Sequence, residues 1–173
     1  MSNVTLKGKT VLLKGDIPPA GDTAPDFTFV KSDLSEASLY DYEGKVKVIL
    51  ALPSLDTGTC AMETKTFNKK LEAFGDKLEC FVISKDLPFA MKRFCETEGI
   101  KNVQSISDYR YGDFATEYNV EILDGPLKGL LTRSVFIIDS ENEIRYSELV
   151  PEITDEPNYD AAVKVIEKLV KQI

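Results

Sequence analysis

The run Val46-Lys47-Val48-Ile49-Leu50-Ala51-Leu52, closed by Pro53, decides the fold. It is short, apolar and rich in β-branched side chains, which marks a central strand buried on both faces. Pro53 has no N–H to give to a sheet, so the strand stops there. A loop, Ser54 to Thr59, leads into a segment where Phe67, Leu71 and Phe74 recur at i, i+4 and i+7 while Lys65, Lys69, Lys70 and Glu72 face away. That spacing predicts a helix lying with one apolar face on the strand.

The same alternation continues toward the C-terminus. Cys80-Phe81-Val82-Ile83-Ser84 reads as a second strand, followed by a helix with Asp86 near its cap, Pro88 in its first turn and Gly99 at its end. A strand over Val103 to Ser107 and a short helix over Phe114 to Tyr118 come next. Ser134 to Ile138 and Ile144 to Leu149 form a hairpin about Asp139-Ser140-Glu141-Asn142. A last helix follows Pro157, with Ala162, Val165, Ile166 and Leu169 on one face and Lys171 in its final turn. On the N-terminal side, Phe27 to Val30 reads as a short strand and Asp41 to Lys45 as a turn. Val4 to Lys14 alternates about Gly8-Lys9 and predicts a β-hairpin. Strand–helix alternation in the middle with antiparallel pieces at both ends implies an α/β protein: a mixed sheet covered by helices, of which the thioredoxin-like fold is one member. No linker-like shift in composition interrupts the chain, so one domain spanning 1–173 is expected.

Composition narrows the chemistry. The 173 residues carry 21 Lys+Arg against 29 Asp+Glu, a net charge of −8, which argues against a nucleic acid or an anionic membrane surface as partner. No apolar run is long enough to span a bilayer. The opening Met1-Ser2-Asn3-Val4-Thr5-Leu6-Lys7 lacks the basic-then-apolar order of a signal peptide, and a cytoplasmic location is the expectation. There is no histidine at all. Ser-His-Asp and Cys-His catalysis, His-ligated metals and a His axial ligand to haem are therefore absent from the possibilities. Three widely spaced cysteines without histidine also make a poor zinc site, and no metal or cofactor is expected.

The cysteines carry the remaining chemistry. Cys60 sits where a buried strand has ended, a loop has passed and a helix begins. The first turn of a helix presents unpaired N–H groups and the positive end of the macrodipole, and both favour thiolate over thiol. Thiolate is the nucleophile, so this position can make a cysteine reactive without imidazole. Thr57, three residues earlier, is placed to cap that turn or to aim its hydroxyl at the sulfur. A small apolar filler at a helix start reads the same way, and position alone does not choose between the two. Cys95 lies 35 residues on, within the second helix, and spacing alone does not show whether the two sulfurs meet. Cys80, inside the apolar strand, reads as core. The absence of C-x-x-C disfavours disulfide-reductase chemistry. Arg133 stands at the entry to a strand, either beside a thiolate or in a surface salt bridge. Asp56 reads as shaping its loop.

Pro53-Ser54-Leu55-Asp56-Thr57-Gly58-Thr59-Cys60 matches the P-x-x-x-T-x-x-C signature of peroxiredoxins, and P-S-x-D-T-x-x-C resembles their thiol peroxidase branch. Gly21-Asp22-Thr23-Ala24-Pro25-Asp26-Phe27 resembles the family's early strand motif. Asp86-Leu87-Pro88-Phe89-Ala90 with Lys92-Arg93-Phe94-Cys95 resembles the branch's second-helix signature, and Asp124 to Leu130 with Arg133 its late segment. The resemblance covers nearly the whole chain. It implies a thioredoxin-like fold with an N-terminal hairpin, and a homodimer. It also implies a peroxidase acting on hydrogen peroxide and alkyl hydroperoxides without metal, haem or flavin. In that pattern Cys60 is the peroxidatic cysteine and Cys95 the resolving one, giving an intramolecular disulfide that thioredoxin reopens. Pro53, Thr57 and Arg133 shape the peroxide pocket. Two positions depart from the pattern. Thr59 replaces a more usual apolar residue, and Glu96 places a charge beside Cys95. Two rival readings remain: a peroxiredoxin resolved by an external thiol, and a non-enzymatic sensor using the same cysteine.

Overall fold

The computed structural model describes residues 2–173; Met1, the first residue of the stretch read for export, lies outside the described residues. The run quoted above forms β5 of a seven-stranded sheet. In chain order the elements are β1 (Asn3–Leu6), β2 (Lys9–Leu12), β3 (Thr28–Lys31), β4 (Glu36–Ser38), β5 (Val46–Ala51), α1 (Gly58–Lys70), β6 (Leu78–Ser84) and α2 (Pro88–Glu98). They continue as β7 (Gln104–Ser107), α3 (Asp113–Glu117), β8 (Ser134–Ile138), β9 (Ile144–Leu149) and α4 (Tyr159–Val170). The sheet order is β4-β3-β7-β6-β5-β8-β9. Strands β5, β6 and β7 run parallel, and the pairs on either flank are antiparallel. This is the mixed α/β sheet flanked by helices expected from the sequence.

Every residue of β5 is buried, because both faces of the sheet are covered. Val46, Val48 and Leu50 point to the face covered by α1, α2 and α4, meeting Phe67, Met91 and Ile166. Ile49 and Ala51 point to the other face, among Phe29, Phe81, Phe114 and Tyr118. The hairpin β1–β2 forms a two-stranded sheet of its own, packed through Val4, Val11 and Leu13 on Ile122 and Ile153.

Three local readings are corrected. The hairpin turns on Lys7-Gly8, not Gly8-Lys9: both central residues have positive φ (50° and 82°), as a turn matched to strand twist requires. Helix α1 stops at Lys70, so Phe74 falls in a following 3₁₀ segment, Glu72–Lys77, broken by Gly75 at φ 57°. The cap of α2 is Leu87, with Asp86 beside it and Pro88 opening the first turn, as expected. Finally, β4 and the 3₁₀ turn Leu39–Tyr42 were not anticipated. Edge strand β4 is three residues long and has no apolar alternation to announce it.

Candidate active site

Strand β5 delivers the chain to the sheet edge, and Pro53 turns it into the loop that ends at α1. Asp86 holds that loop: its carboxylate accepts from Ser54 Oγ (2.8 Å), Leu55 N–H (2.9 Å) and Ser84 Oγ (2.6 Å), tying the loop after β5 to the end of β6. Residue Thr57 occupies the cap position of α1, but its hydroxyl donates to Ser54 O (3.1 Å) and makes no hydrogen bond to the first turn. The capping expected of that side chain is therefore replaced by a loop contact. The first N–H of α1 to close on a carbonyl is that of Ala61, on Thr57 O (3.0 Å). Residues 58–60 thus stand in the open first turn, with Cys60 fully buried beneath it.

Arg133 reaches Cys60 from the start of β8. Only 2% of the side chain is exposed, so its fork must be satisfied within the protein. Nε donates to Ile153 O (2.8 Å), Nη1 to Glu63 Oε1 (3.0 Å) and Nη2 to Cys60 Sγ (3.3 Å). Burial opposes the charge on Arg133, but Cys60 and Glu63 beside it hold the guanidinium more firmly protonated than usual. Burial pushes the Glu63 carboxyl up to about 7, against the pull of Arg133. Its second oxygen has no hydrogen-bond partner among the described residues.

Above this cluster opens a cleft of about 600 Å³. Pro53, Thr57 and Arg133 line it together with Leu127, Leu130 and Ile153. Leu6 and Lys7, at the tip of the β1–β2 hairpin, complete the mouth. Thr59, in place of an apolar residue, donates its hydroxyl to Thr154 O (3.0 Å). The arrangement offers a buried sulfur with a fixed cation against it, and that cation, Arg133, also lines the largely aliphatic cleft.

Four of the five expected site residues, Cys60, Arg133, Thr57 and Pro53, therefore meet. Cys95 does not join them. It lies on α2, half-buried, beside a separate cavity of about 280 Å³ bordered by Lys92, Glu96 and Ile100. Burial pushes the Cys95 thiol up; a hydrogen bond with Ser105 works against this, and Glu96 adds to it, the effect expected of that charge. Cys80 is buried in the same core as Phe67 and Val82, with its thiol pushed well up by burial. All three cysteines are free thiols. Two members of the cluster escaped the sequence reading. Glu63 follows Cys60 by three residues and precedes Phe67 by four, so extending the apolar helical stripe backwards would have found a carboxylate on the buried face. Ile153 acts through its backbone carbonyl, for which no side-chain signal exists.

Residues 19–163 match the Redoxin family model. A thiol peroxidase of Leptospira interrogans is 56% identical over 94% of this chain and 96% of its own length. Another, from Aquifex aeolicus, is 47% identical over 96% and 98%. Among solved structures, a peroxiredoxin-like protein from Aquifex aeolicus superposes with a TM-score of 0.92 at 46% identity, covering 98% of both chains. The thiol peroxidase from Chromobacterium violaceum gives 0.89 at 26% identity, covering 99% of this chain and 98% of that one. The chain belongs to the Redoxin family. Its place there is the thiol peroxidase branch of the peroxiredoxins, as the motif about Cys60 indicated.

Proposed function

We propose that this peroxidase of the peroxiredoxin family reduces hydroperoxides at Cys60, and that the hydrogen bond from Arg133 Nη2 to Cys60 Sγ at 3.3 Å carries the assignment. A buried guanidinium aimed at sulfur favours negative charge there, in a site sheltered from water. The Cys60 thiolate attacks the distal oxygen of R–O–O–H. The O–O bond breaks, sulfur gains OH as a sulfenic acid, and the departing alkoxide takes up a proton to leave as R–OH. The open N–H groups of the first turn and Arg133 stabilise the charge that develops on oxygen, and Thr57 and Pro53 shape the place where the peroxide sits. The aliphatic walls Leu127, Leu130 and Ile153 suit alkyl hydroperoxides as well as hydrogen peroxide.

In the second half of the cycle the Cys95 sulfur displaces water from the sulfenic acid and forms an intramolecular disulfide. Thioredoxin reopens it by thiol–disulfide exchange. One domain, 1–173, holds the whole cycle in the cytoplasm, and no metal or organic cofactor takes part. Exposed Leu87 and Phe89 at the start of α2, and Tyr109 and Tyr111 on the loop after β7, supply apolar surface for a homodimer.

Peroxide consumption by the Cys60→Ser variant tests the reading. It should fall to background with any thiol reductant, and retained turnover would overturn the assignment. Cys95→Ser should complete one round of peroxide reduction and then accumulate overoxidised Cys60 by mass spectrometry. An interchain disulfide in oxidised wild type on a non-reducing gel would contradict resolution by Cys95 of the same chain.

A further inference from the structure

One carboxylate outside the Cys60 cluster is surrounded by donors to an unusual degree. Glu152 lies in the strap between β9 and α4. Its Oε1 accepts from Gly8 N–H (2.9 Å) and Thr5 Oγ1 (2.9 Å). Its Oε2 accepts from Lys7 N–H (3.1 Å), Thr154 N–H (3.0 Å) and Thr154 Oγ1 (2.8 Å). These five donors come from two pieces of chain remote in sequence, the turn of the β1–β2 hairpin and the strap itself. Backbone bonds from Thr5 N–H to Pro151 O (2.8 Å) and from Ile153 N–H to Thr5 O (2.8 Å) flank the carboxylate, so hairpin and strap are zipped together around it.

The other side of the strap faces the reactive cluster. Ile153, next to Glu152, gives its carbonyl to Arg133 Nε (2.8 Å). Thr154 gives its carbonyl to Thr59 Oγ1 (3.0 Å), one residue before Cys60. Val150 N–H closes on Arg133 O (3.1 Å). The strap thus grips Arg133 at both its backbone and its side chain and touches the first turn of α1. Among the described residues only the strap backbone receives Arg133 Nε, and that nitrogen sets the plane from which Nη2 points at sulfur.

From this geometry we infer that Glu152 is a positioning residue for the Arg133–Cys60 pair, fixing the Ile153 carbonyl by locking the strap to the hairpin turn. The inference rests on the proposed peroxidase role of Cys60. It makes the hairpin part of the reactive apparatus rather than only a wall of the cleft. Five donors satisfied on two oxygens require an ionised carboxylate, and those N–H and O–H groups hold Glu152 down at about 2.

Glu152→Gln tests it. The amide keeps the size but replaces one acceptor oxygen with an NH₂ that opposes the donors on that side. Oxidation of reduced protein by hydrogen peroxide, followed by stopped flow as a function of pH, should slow about tenfold, and the acidic limb of its pH profile should move to higher pH. Thr154→Val removes a single donor and should give the same change on a smaller scale, about threefold, should the first variant not fold. Hydrogen peroxide is the informative substrate because it is too small to need the cleft walls. If only a bulky hydroperoxide such as cumene hydroperoxide slows, or if the folded variant keeps the wild-type rate and pH profile, Glu152 does not position Arg133. Failure of the underlying reading looks different: wild type itself would leave peroxide untouched.

Discussion

Glu63 shares a single cation, Arg133, with the sulfur of Cys60. Burial favours the neutral acid at Glu63, against the pull of that guanidinium, and pushes it up to about 7 from an ordinary 4.5. In the unfolded chain this proton is lost near 4.5, so between 4.5 and 7 the folded state binds more proton than the unfolded one. Stability from this group is therefore full below 4.5 and is lost as pH rises through 7. Glu63→Gln cannot titrate. The unfolding free energy of wild type should decline relative to that variant across pH 4.5–7, by on the order of 3 kcal/mol, in urea titrations at each pH. Parallel curves would show that Glu63 stays ionised throughout. At this scale the sequence was legible where residue type alone decides. Cys60, Pro53, Thr57 and Arg133 were singled out by side-chain type and spacing, and the structure puts Arg133 against Cys60 with Pro53 and Thr57 lining the same cleft as Arg133. The roles of Ile153, a backbone carbonyl, and of Glu152, three of whose five donors lie some 145 residues away, have no local signature.

Helices α1 and α2 set the geometry of any disulfide. Each follows a strand of the parallel pair β5–β6, yet Cys60 is the third residue of α1 and Cys95 the eighth of α2, about 7.5 Å deeper along its helix at 1.5 Å per residue. A disulfide needs Cα atoms within about 7 Å, and in this arrangement both thiols are free. The lower parts of the two helices are bound to each other. Lys65 pairs with Glu98 (2.9 Å), and Asn68 Oδ1 accepts from the N–H groups of Lys101 (2.9 Å) and Asn102 (2.7 Å). Thr64 Oγ1 bonds back to Cys60 O (2.9 Å), a contact that loosens helical turns. Oxidation should accordingly unwind the segments around 57–64 and 92–98. Amide exchange there should speed up in the disulfide form while β5 and β6 stay protected. Identical protection in both redox states would mean that the bond forms without unwinding. Helix existence was readable from apolar spacing, but the end of α1 was not. Phe74 continues the pattern numerically, and Gly75 breaks the geometry only in three dimensions.

Across the whole molecule the sheet shows both how far patterning reaches and where it stops. Alternating strands and helices imply a mixed sheet, and the β8–β9 hairpin falls on the residues expected of it. Strand order and the edge strand β4 depend on pairings across the chain that no local pattern encodes. Lys47 illustrates this best. It interrupts the apolar run of β5, is fully buried, and donates to Asn142 Oδ1 (2.7 Å) from a hairpin turn 95 residues away. Burial lowers it from 10.5 to about 8, against the pull of Asp139 and Glu43. Between pH 8 and 10.5 the folded protein sheds a proton that the unfolded chain retains, so this group's contribution to stability rises with pH over that window. Compared with Lys47→Met, wild type should gain up to about 3 kcal/mol in unfolding free energy from pH 8 to 10.5. A constant difference would show that Lys47 remains charged.

The β1–β2 hairpin forms no ladder with the seven-stranded sheet, yet its tip supplies Leu6 and Lys7 to the mouth of the cleft. Selectivity and scaffold are thereby separated. Exchanging side chains at that tip leaves every rung of the main ladder in place, provided the turn keeps its two backbone N–H groups on Glu152.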